Sequence, residues 1–150
     1  MIVSIAVVLV GLELFYFKFH TYFQTTEVNE AFPAAGSDSG PKTIVQGQFV
    51  EVDAIHKGSG TARVIEQNSK QYLRFENFNV TNGPDLYVYL SESKTPGRNL
   101  ESLGRYADLG RLKGNVGDQN YEIPEGFEGY DTAVIWCKQF GVLFSYAAMK

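Results

Sequence analysis

The chain has 150 residues, with 13 basic and 17 acidic side chains and a formal net charge of −4. This length is typical of one domain with an appendage, and the acidic balance argues against nucleic acid as a partner, because phosphate binding requires clustered Lys and Arg. A single cysteine excludes an internal disulfide, a zinc site built from several thiolates and covalent haem attachment through a C-x-x-C-H motif.

The N-terminal segment, residues 1–20, is predicted to target a membrane. Ile2 to Leu12 is almost continuously apolar, Glu13 interrupts the run, and apolar residues resume before Lys18. The run is shorter than the roughly 20 residues that an untilted span needs, and it lacks the positively charged start of a signal peptide. We expect a transmembrane or signal-anchor helix, with a cleaved signal and a buried core helix as the alternatives.

Residues 21–42 are predicted to form a flexible linker. They hold Pro33, Gly36, Gly40 and Pro41 and show no sustained hydrophobic period. The folded domain is therefore expected to begin at residue 43 and to run to residue 150.

From residue 43 onward, short apolar runs alternate with turn signals. Alternation is clearest where Leu86, Val88 and Leu90 interleave with Tyr87 and Tyr89. The predicted strands are 45–52, 61–66, 72–78, 86–90, 106–109, 121–123, 133–137 and 142–147. Strands at this spacing, without a long amphipathic helix among them, predict an all-β fold, either an antiparallel β-sandwich or an open barrel.

The common catalytic signatures are missing from this domain. It has no G-x-S-x-G elbow, no phosphate-binding Gly-rich loop and no H-E-x-x-H pair. His56 is its one histidine, whereas a blue-copper site needs two histidines beside a cysteine. We predict no catalytic residues and no metal site, and we expect that the domain is not an enzyme by itself. A thiol-dependent enzyme that combines Cys137 with His56 is the weaker alternative.

Cys137 is the one side chain suited to redox chemistry. It ends the run 132–137, whose apolar residues on both alternating faces indicate a central strand covered on two sides. Cys137 then shares a face with Ile135, and Trp136 points the opposite way. Two interpretations remain open: a small hydrophobe in the core, or a reactive thiol at the strand end, where Lys138 favours the thiolate if the site is open.

Two further features lie in turns. His56 follows the first predicted strand, so a solvated or turn-capping role is favoured, and a ligand or proton-relay role requires that the fold bring it near Cys137. Gly83-Pro84-Asp85 precedes the strand 86–90. Gly permits a positive φ, Pro fixes the next φ and Asp accepts hydrogen bonds from backbone amides, which predicts a structural turn.

Several segments occur in an ordered combination along the domain. They are Gly47-x-Phe49 with His56, Leu73-Arg74-Phe75, Asn82 to Leu90, Leu112 to Pro124, and Val134-Ile135-Trp136-Cys137 with Phe140 and Phe144. With these motifs, the chain from about Thr43 to Met149 resembles the DM-thirteen domain, which is described as an electron-transfer domain, and is similar to its single-domain anchored members from bacteria.

The resemblance implies an exported or membrane-anchored all-β module whose characteristic cysteine, Cys137 by motif, acts as a bare thiol or by binding a prosthetic group such as haem. His56 and Trp136 are the candidate neighbours or ligands. We expect a membrane-tethered domain outside the cytoplasm, at the cell surface or in the periplasm, that exchanges electrons with a redox partner protein. The alternative is a non-enzymatic binding or structural domain in which Cys137 is core packing and Tyr87 and Tyr89 form a contact surface.

Overall fold

The computed structural model describes residues 7–8, 10–12, 24–33 and 40–150. Within this part, a short 3₁₀ helix at Leu100–Leu103 lies between the fifth and sixth strands. The strands are β1 Lys42–Gln48, β2 Val50–Glu51, β3 Gly58–Gln67, β4 Lys70–Val80, β5 Leu86–Ser91, β6 Tyr106–Arg111, β7 Val116–Glu122, β8 Thr132–Cys137 and β9 Val142–Ala148.

The strands form two antiparallel sheets. The first sheet has the order β1-β3-β4-β7 and the second has the order β2-β9-β8-β5-β6. β1 and β2 are separated only by Phe49, so the chain passes there from one sheet to the other. The all-β prediction is confirmed, and neither sheet closes into a barrel in the described part of the chain.

The main core lies between the two sheets. Leu73 and Phe75 of β4 meet Val88 and Ile135 of the second sheet, and all four side chains are fully buried. The Phe49 ring packs edge-on against Phe75, with 4.9 Å between ring centroids. Burying each such side chain contributes roughly 1.5–3 kcal/mol, so the alternating apolar positions of these strands fix which face turns inward.

A second, smaller core covers the outer face of the second sheet. Val134 and Trp136 of β8 pack there with Tyr89 and with Leu103 of the 3₁₀ helix. β8 is therefore buried on both faces along its whole length, as its continuous apolar run predicts. Tyr89 is only 2% exposed, so it cannot form part of a contact surface.

The loops gather at the two ends of the sandwich. Strand register places loops 52–57, 81–85, 112–115 and 138–141 together at one end, which we call the Cys137 end. The opposite end carries loops 68–69 and 123–131 and the origin of the long loop 92–105. That long loop folds back over the second sheet and brings Arg98 within 3.7 Å of the Asp53 carboxylate.

Residues 24–33, which we call the strap, lie along the free edge of β7. The amide of Val28 donates to the carbonyl of Val116 at 2.9 Å, and the amide of Glu30 donates to the carbonyl of Asp118 at 2.9 Å. Glu27 and Val116 form a parallel bridge. The strap therefore runs from the Cys137 end towards the opposite end, and the division into anchor, linker and domain stays a prediction.

Within the described residues, no helix has the length and apolar character needed to cross a membrane. Residues 7–8 and 10–12 are helical. The rest of the predicted membrane segment 1–20 lies outside the described residues, so the anchor stays a prediction.

Candidate functional site

Cys137 ends β8 at the Cys137 end of the sandwich. It pairs with Leu86 of β5 on one side and with Val142 of β9 on the other. Its side chain is completely buried in the main core, on the same face as Ile135, as the alternation predicts. The amide of Gly141 donates to the Cys137 carbonyl at 2.9 Å and closes an exposed turn over residues 138–141.

Burial raises the pKa of the Cys137 thiol, because a thiolate in the core loses its hydration. The backbone N–H groups of Phe140, Asp85 and Gln139 act in the other direction and lower that pKa, but burial outweighs them. In the closed structure the sulfur is therefore a neutral thiol at pH 7, which is the unreactive form.

Lys138 does not supply the expected help to the thiolate. Its ammonium group donates to the Asp108 carboxylate at 2.6 Å and lies 3.6 Å from the centroid of the Tyr87 ring. Both partners belong to the β5–β6 part of the second sheet, and the bond to Asp108 raises the pKa of Lys138. In the closed structure Lys138 therefore does not favour a thiolate at Cys137, and its effect in an open site stays a prediction.

His56 is held by Asp53 in the loop between β2 and β3. Nδ1 of His56 lies 2.8 Å from Oδ2 of Asp53, and the His56 amide donates to Oδ1 of the same carboxylate at 2.8 Å. The imidazole contacts the Phe144 ring edge-on at 4.5 Å between centroids. Phe144 belongs to the same core as Cys137. The fold thus brings His56 and Cys137 to one end, and a relay or ligand role for His56 stays a prediction.

Trp136 lies on the other face of the second sheet from Cys137. It packs with Val134 and Leu143 in the smaller core, and its cross-strand partner is Tyr87. The two residues are adjacent along the chain, yet the sheet itself separates their side chains. A contact between the indole and the thiol is therefore not formed.

In the turn Gly83-Pro84-Asp85, the glycine is needed because of neighbouring side chains and not because of its backbone conformation. The φ of Gly83 is not positive; instead, a Cβ at this position would lie 2.8 Å from Cζ of Phe144 and 2.9 Å from Cδ2 of Leu86. The carboxylate of Asp85 pairs with Arg111 at 2.7 Å. Gly83 is therefore required by the close approach of Phe144 and not by a positive φ.

A family model described as Electron transfer DM13 matches residues 48–149, more than half of the chain. This chain belongs to the DM13 family. The match runs from the end of β1 to the end of β9 and includes His56, the Gly83 turn, Trp136 and Cys137. The resemblance to the DM-thirteen domain is confirmed, and the family description names electron transfer. Among curated proteins and solved structures, nothing matches this chain.

The residues around Cys137 in this DM13 domain do not fit a haem. A ligand of that size needs a cavity of about 300 Å³ or more beside its protein ligand. A cavity of about 330 Å³ lies at the opposite end, between Glu66 and Glu128, and one of about 110 Å³ lies beside Gly83 and Lys113. Neither is lined by Cys137, whose sulfur is closed in by core side chains.

Among the described residues, no group of three or more His, Cys, Asp or Glu side chains is close enough to hold a metal ion.

Asp53 was not singled out from the sequence as a residue of the Cys137 end of this DM13 domain. Its signal is present in the sequence, because an Asp that begins a turn commonly accepts bonds from backbone amides two or three residues later. Phe144, which joins His56 to the core, carries no such local signal.

Proposed function

We propose that this DM13 domain transfers electrons at a membrane through the thiol of Cys137. The family description supports electron transfer, and the matched region 48–149 contains the only cysteine of the chain. The observation that carries the proposal is the place of this thiol, directly beneath the exposed turn 138–141 of a domain that belongs to an electron-transfer family. The proposed transfer requires that opening of this one turn expose the sulfur while the two sheets stay intact.

The proposed chemistry is thiol–disulfide exchange with a partner protein. A lone thiol cannot close an internal disulfide, so its electrons must pass to sulfur outside this chain. When the turn opens, the thiol regains contact with water, loses its proton and attacks a partner disulfide. An S–S bond to Cys137 forms, the partner S–S bond breaks, and the departing partner thiolate takes up a proton.

We place the domain on the outer side of a membrane, held by residues 1–20. The apolar run of that segment supports the tether, and similarity to exported and anchored domains supports the outer side. The extracytoplasmic space is also where disulfide partners persist.

The proposal is tested by incubating the folded protein with glutathione disulfide and following the intact mass. We expect one glutathione to be added to wild-type protein and none to Cys137→Ser. The rate is expected to rise with pH, because the thiolate is the attacking species. A folded protein that gains no glutathione, although the urea-unfolded protein does, would contradict the proposal.

The second candidate is a non-enzymatic binding or structural domain in which Cys137 is core packing. Complete burial and a raised thiol pKa favour it. In that case Cys137→Ala lowers the free energy of unfolding by about 0.5–1.5 kcal/mol, as expected for one lost core group, and the folded thiol forms no adduct. Because the thiol is buried in the folded protein under both candidates, the glutathione experiment separates them and urea unfolding measures only the packing contribution of Cys137.

A further inference from the structure

We propose that the Cys137 end of the sandwich docks onto the lipid surface of the membrane that holds residues 1–20. This inference rests on the membrane tether of the proposed function and adds an orientation to it. It assigns a lipid-contacting role to two exposed loops, 52–57 and 138–141.

Only a short length of chain separates the membrane segment from the strap. The strap begins at the Cys137 end, where the side chain of Asn82 donates to the carbonyl of Gln24 and the amide of Thr26 donates to Oδ1 of Asn115 at 2.7 Å. Gln24 lies four residues after residue 20, and a fully extended chain of four residues spans at most about 14 Å. The Cys137 end is thus confined to the neighbourhood of the bilayer.

The opposite end is much farther from the membrane segment. The strap runs along β7 away from Gln24, and the longest strand, β4, has 11 residues. At about 3.4 Å per residue, such a strand is roughly 37 Å long. A domain tethered at Gln24 therefore turns the Cys137 end, and not the opposite end, towards the lipid.

Each of the two loops also presents a large apolar side chain to solvent. Ile55 is 68% exposed and Phe140 is 42% exposed, although both are large apolar side chains. The amide of Ile55 donates to Oδ1 of Asp53 at 2.9 Å, so the turn that presents Ile55 is already ordered. Phe140 lies in the turn closed by Gly141, whose φ is +63°. Exposed apolar side chains on ordered loops fit the interfacial region of a bilayer.

The charges of this end indicate which force holds it to the lipid. Among the described residues, five cations lie at or beside its loops, and the contacts of three are close ion pairs: Arg111 with Asp85 at 2.7 Å, Lys113 with Glu30 at 2.8 Å and Lys138 with Asp108 at 2.6 Å. The other two form longer pairs, Arg98 with Asp53 at 3.7 Å and Lys57 with Glu51 at 4.0 Å. Because these cations are already paired, apolar contact dominates the docking, which is then only weakly dependent on salt.

With the Cys137 end facing the lipid, access to the proposed redox thiol is restricted. The turn that covers the Cys137 thiol is also one of the two loops that contact the lipid. A redox partner must therefore reach Cys137 from the membrane or from its immediate surface.

The test uses the full chain reconstituted in vesicles of phosphatidylcholine and phosphatidylglycerol, with flotation and amide hydrogen exchange as readouts. We expect the chain to float with the vesicles and loops 52–57 and 138–141 to exchange several-fold more slowly than in an Ile55→Ser/Phe140→Ser double variant. Loops 68–69 and 123–131, at the opposite end, are expected to exchange equally in both proteins. High salt is expected to change little.

Ile44→Ser is the matched control, because Ile44 is 44% exposed and lies near the opposite end, where its neighbour Thr43 pairs with Ile65. It should retain the slow exchange of both loops. If wild-type protein floats but its two loops exchange as fast as those of the double variant, the docking inference is overturned and the tether stands. If wild-type protein does not float, the tether and the inference both fall.

Discussion

Asp53 organises the turn that presents His56 and Ile55. Its carboxylate accepts hydrogen bonds from the amides of both residues and lies within 2.8 Å of the His56 ring. The bond to the His56 side chain contributes most, and together these bonds hold the pKa of Asp53 well below its ordinary value of 3.8. The charged form of Asp53 is therefore favoured by folding.

Asp53→Asn tests this contribution through the pH dependence of stability. Because folding lowers the pKa of Asp53, its carboxylate contributes its full stabilisation at pH values above the ordinary value of 3.8. This stabilisation is lost progressively as the pH falls below 3.8 towards the lowered pKa of the folded state. We expect the urea midpoint of wild-type protein to fall more steeply than that of Asp53→Asn between about pH 5 and about pH 3. Equal slopes in the two proteins would show that the carboxylate contributes nothing.

For Cys137, the sequence predicts the strand and the face on which the side chain lies, but not what packs over the sulfur. Its strand, its face and the opposite orientation of Trp136 follow from apolar residues at successive positions, because a strand alternates its side chains. The position of the turn 138–141 also follows from the predicted strands 133–137 and 142–147. Its packing over the sulfur does not follow, because tertiary contacts fix it, including the bond from the Lys138 amide to the Asp85 carbonyl at 3.0 Å. Gly83 likewise depends on Phe144, which is distant along the chain.

The strap explains two glycines of the β6–β7 region. A Cβ at Gly117 would lie 2.0 Å from the carbonyl oxygen of Val28, and a Cβ at Gly114 would lie 2.5 Å from that of Thr26. Beside them, the buried guanidinium of Arg74 donates to the Glu30 carbonyl at 3.1 Å and stacks over the Phe32 ring at 4.1 Å. These glycines let the strap backbone approach β7.

Gly117→Ala and Gly110→Ala form a matched pair that tests the strap. Gly117 has φ +103° and Gly110 has φ +100°, so an added Cβ costs about 1–2 kcal/mol of backbone strain at either position. No atom lies within 4 Å of a Cβ at Gly110. We therefore expect a larger loss of unfolding free energy for Gly117→Ala, together with faster hydrogen exchange at residues 26–30. Equal losses and unchanged exchange would contradict the docking of the strap on β7.

The strap could not be predicted from the sequence for a physical reason. Residues 24–33 have no hydrophobic period, and polar contacts with residues far along the chain hold them, such as the Lys113 ammonium on Glu30 at 2.8 Å. β7 was predicted only at 121–123 for the same reason. Its first half, 116–120, carries the polar side chains of Asp118, Gln119 and Asn120, which bond to Asn77, Gly114 and the strap. Gln119 is completely buried although it is polar, so the alternation of apolar residues that predicts a strand is missing there.

At the scale of the whole molecule, the sequence predicts the fold class, whereas the pairing of strands in the two sheets determines which candidate site residues lie close together. Eight short apolar runs predict an all-β domain, and the structure contains a strand in each of them. Pairing is a long-range property, so the strand orders β1-β3-β4-β7 and β2-β9-β8-β5-β6 do not follow from local pattern. They bring His56, Gly83 and Cys137 to one end and leave Trp136 on the outer face.

The proposed electron transfer requires that the thiol of Cys137 become accessible by local opening of the turn 138–141. The direct measurement is the rate of Cys137 alkylation in folded protein, compared with the rate of global unfolding in the same buffer. Ser69→Cys, in an exposed turn at the opposite end, gives the rate for a freely accessible thiol.

We predict alkylation of Cys137 that is slower than that of Ser69→Cys, faster than global unfolding, and nearly independent of low urea concentrations, because little surface is exposed when one turn opens. Alkylation that occurs only at the rate of global unfolding, with the full urea dependence of that process, would contradict the redox role and would establish Cys137 as a core residue.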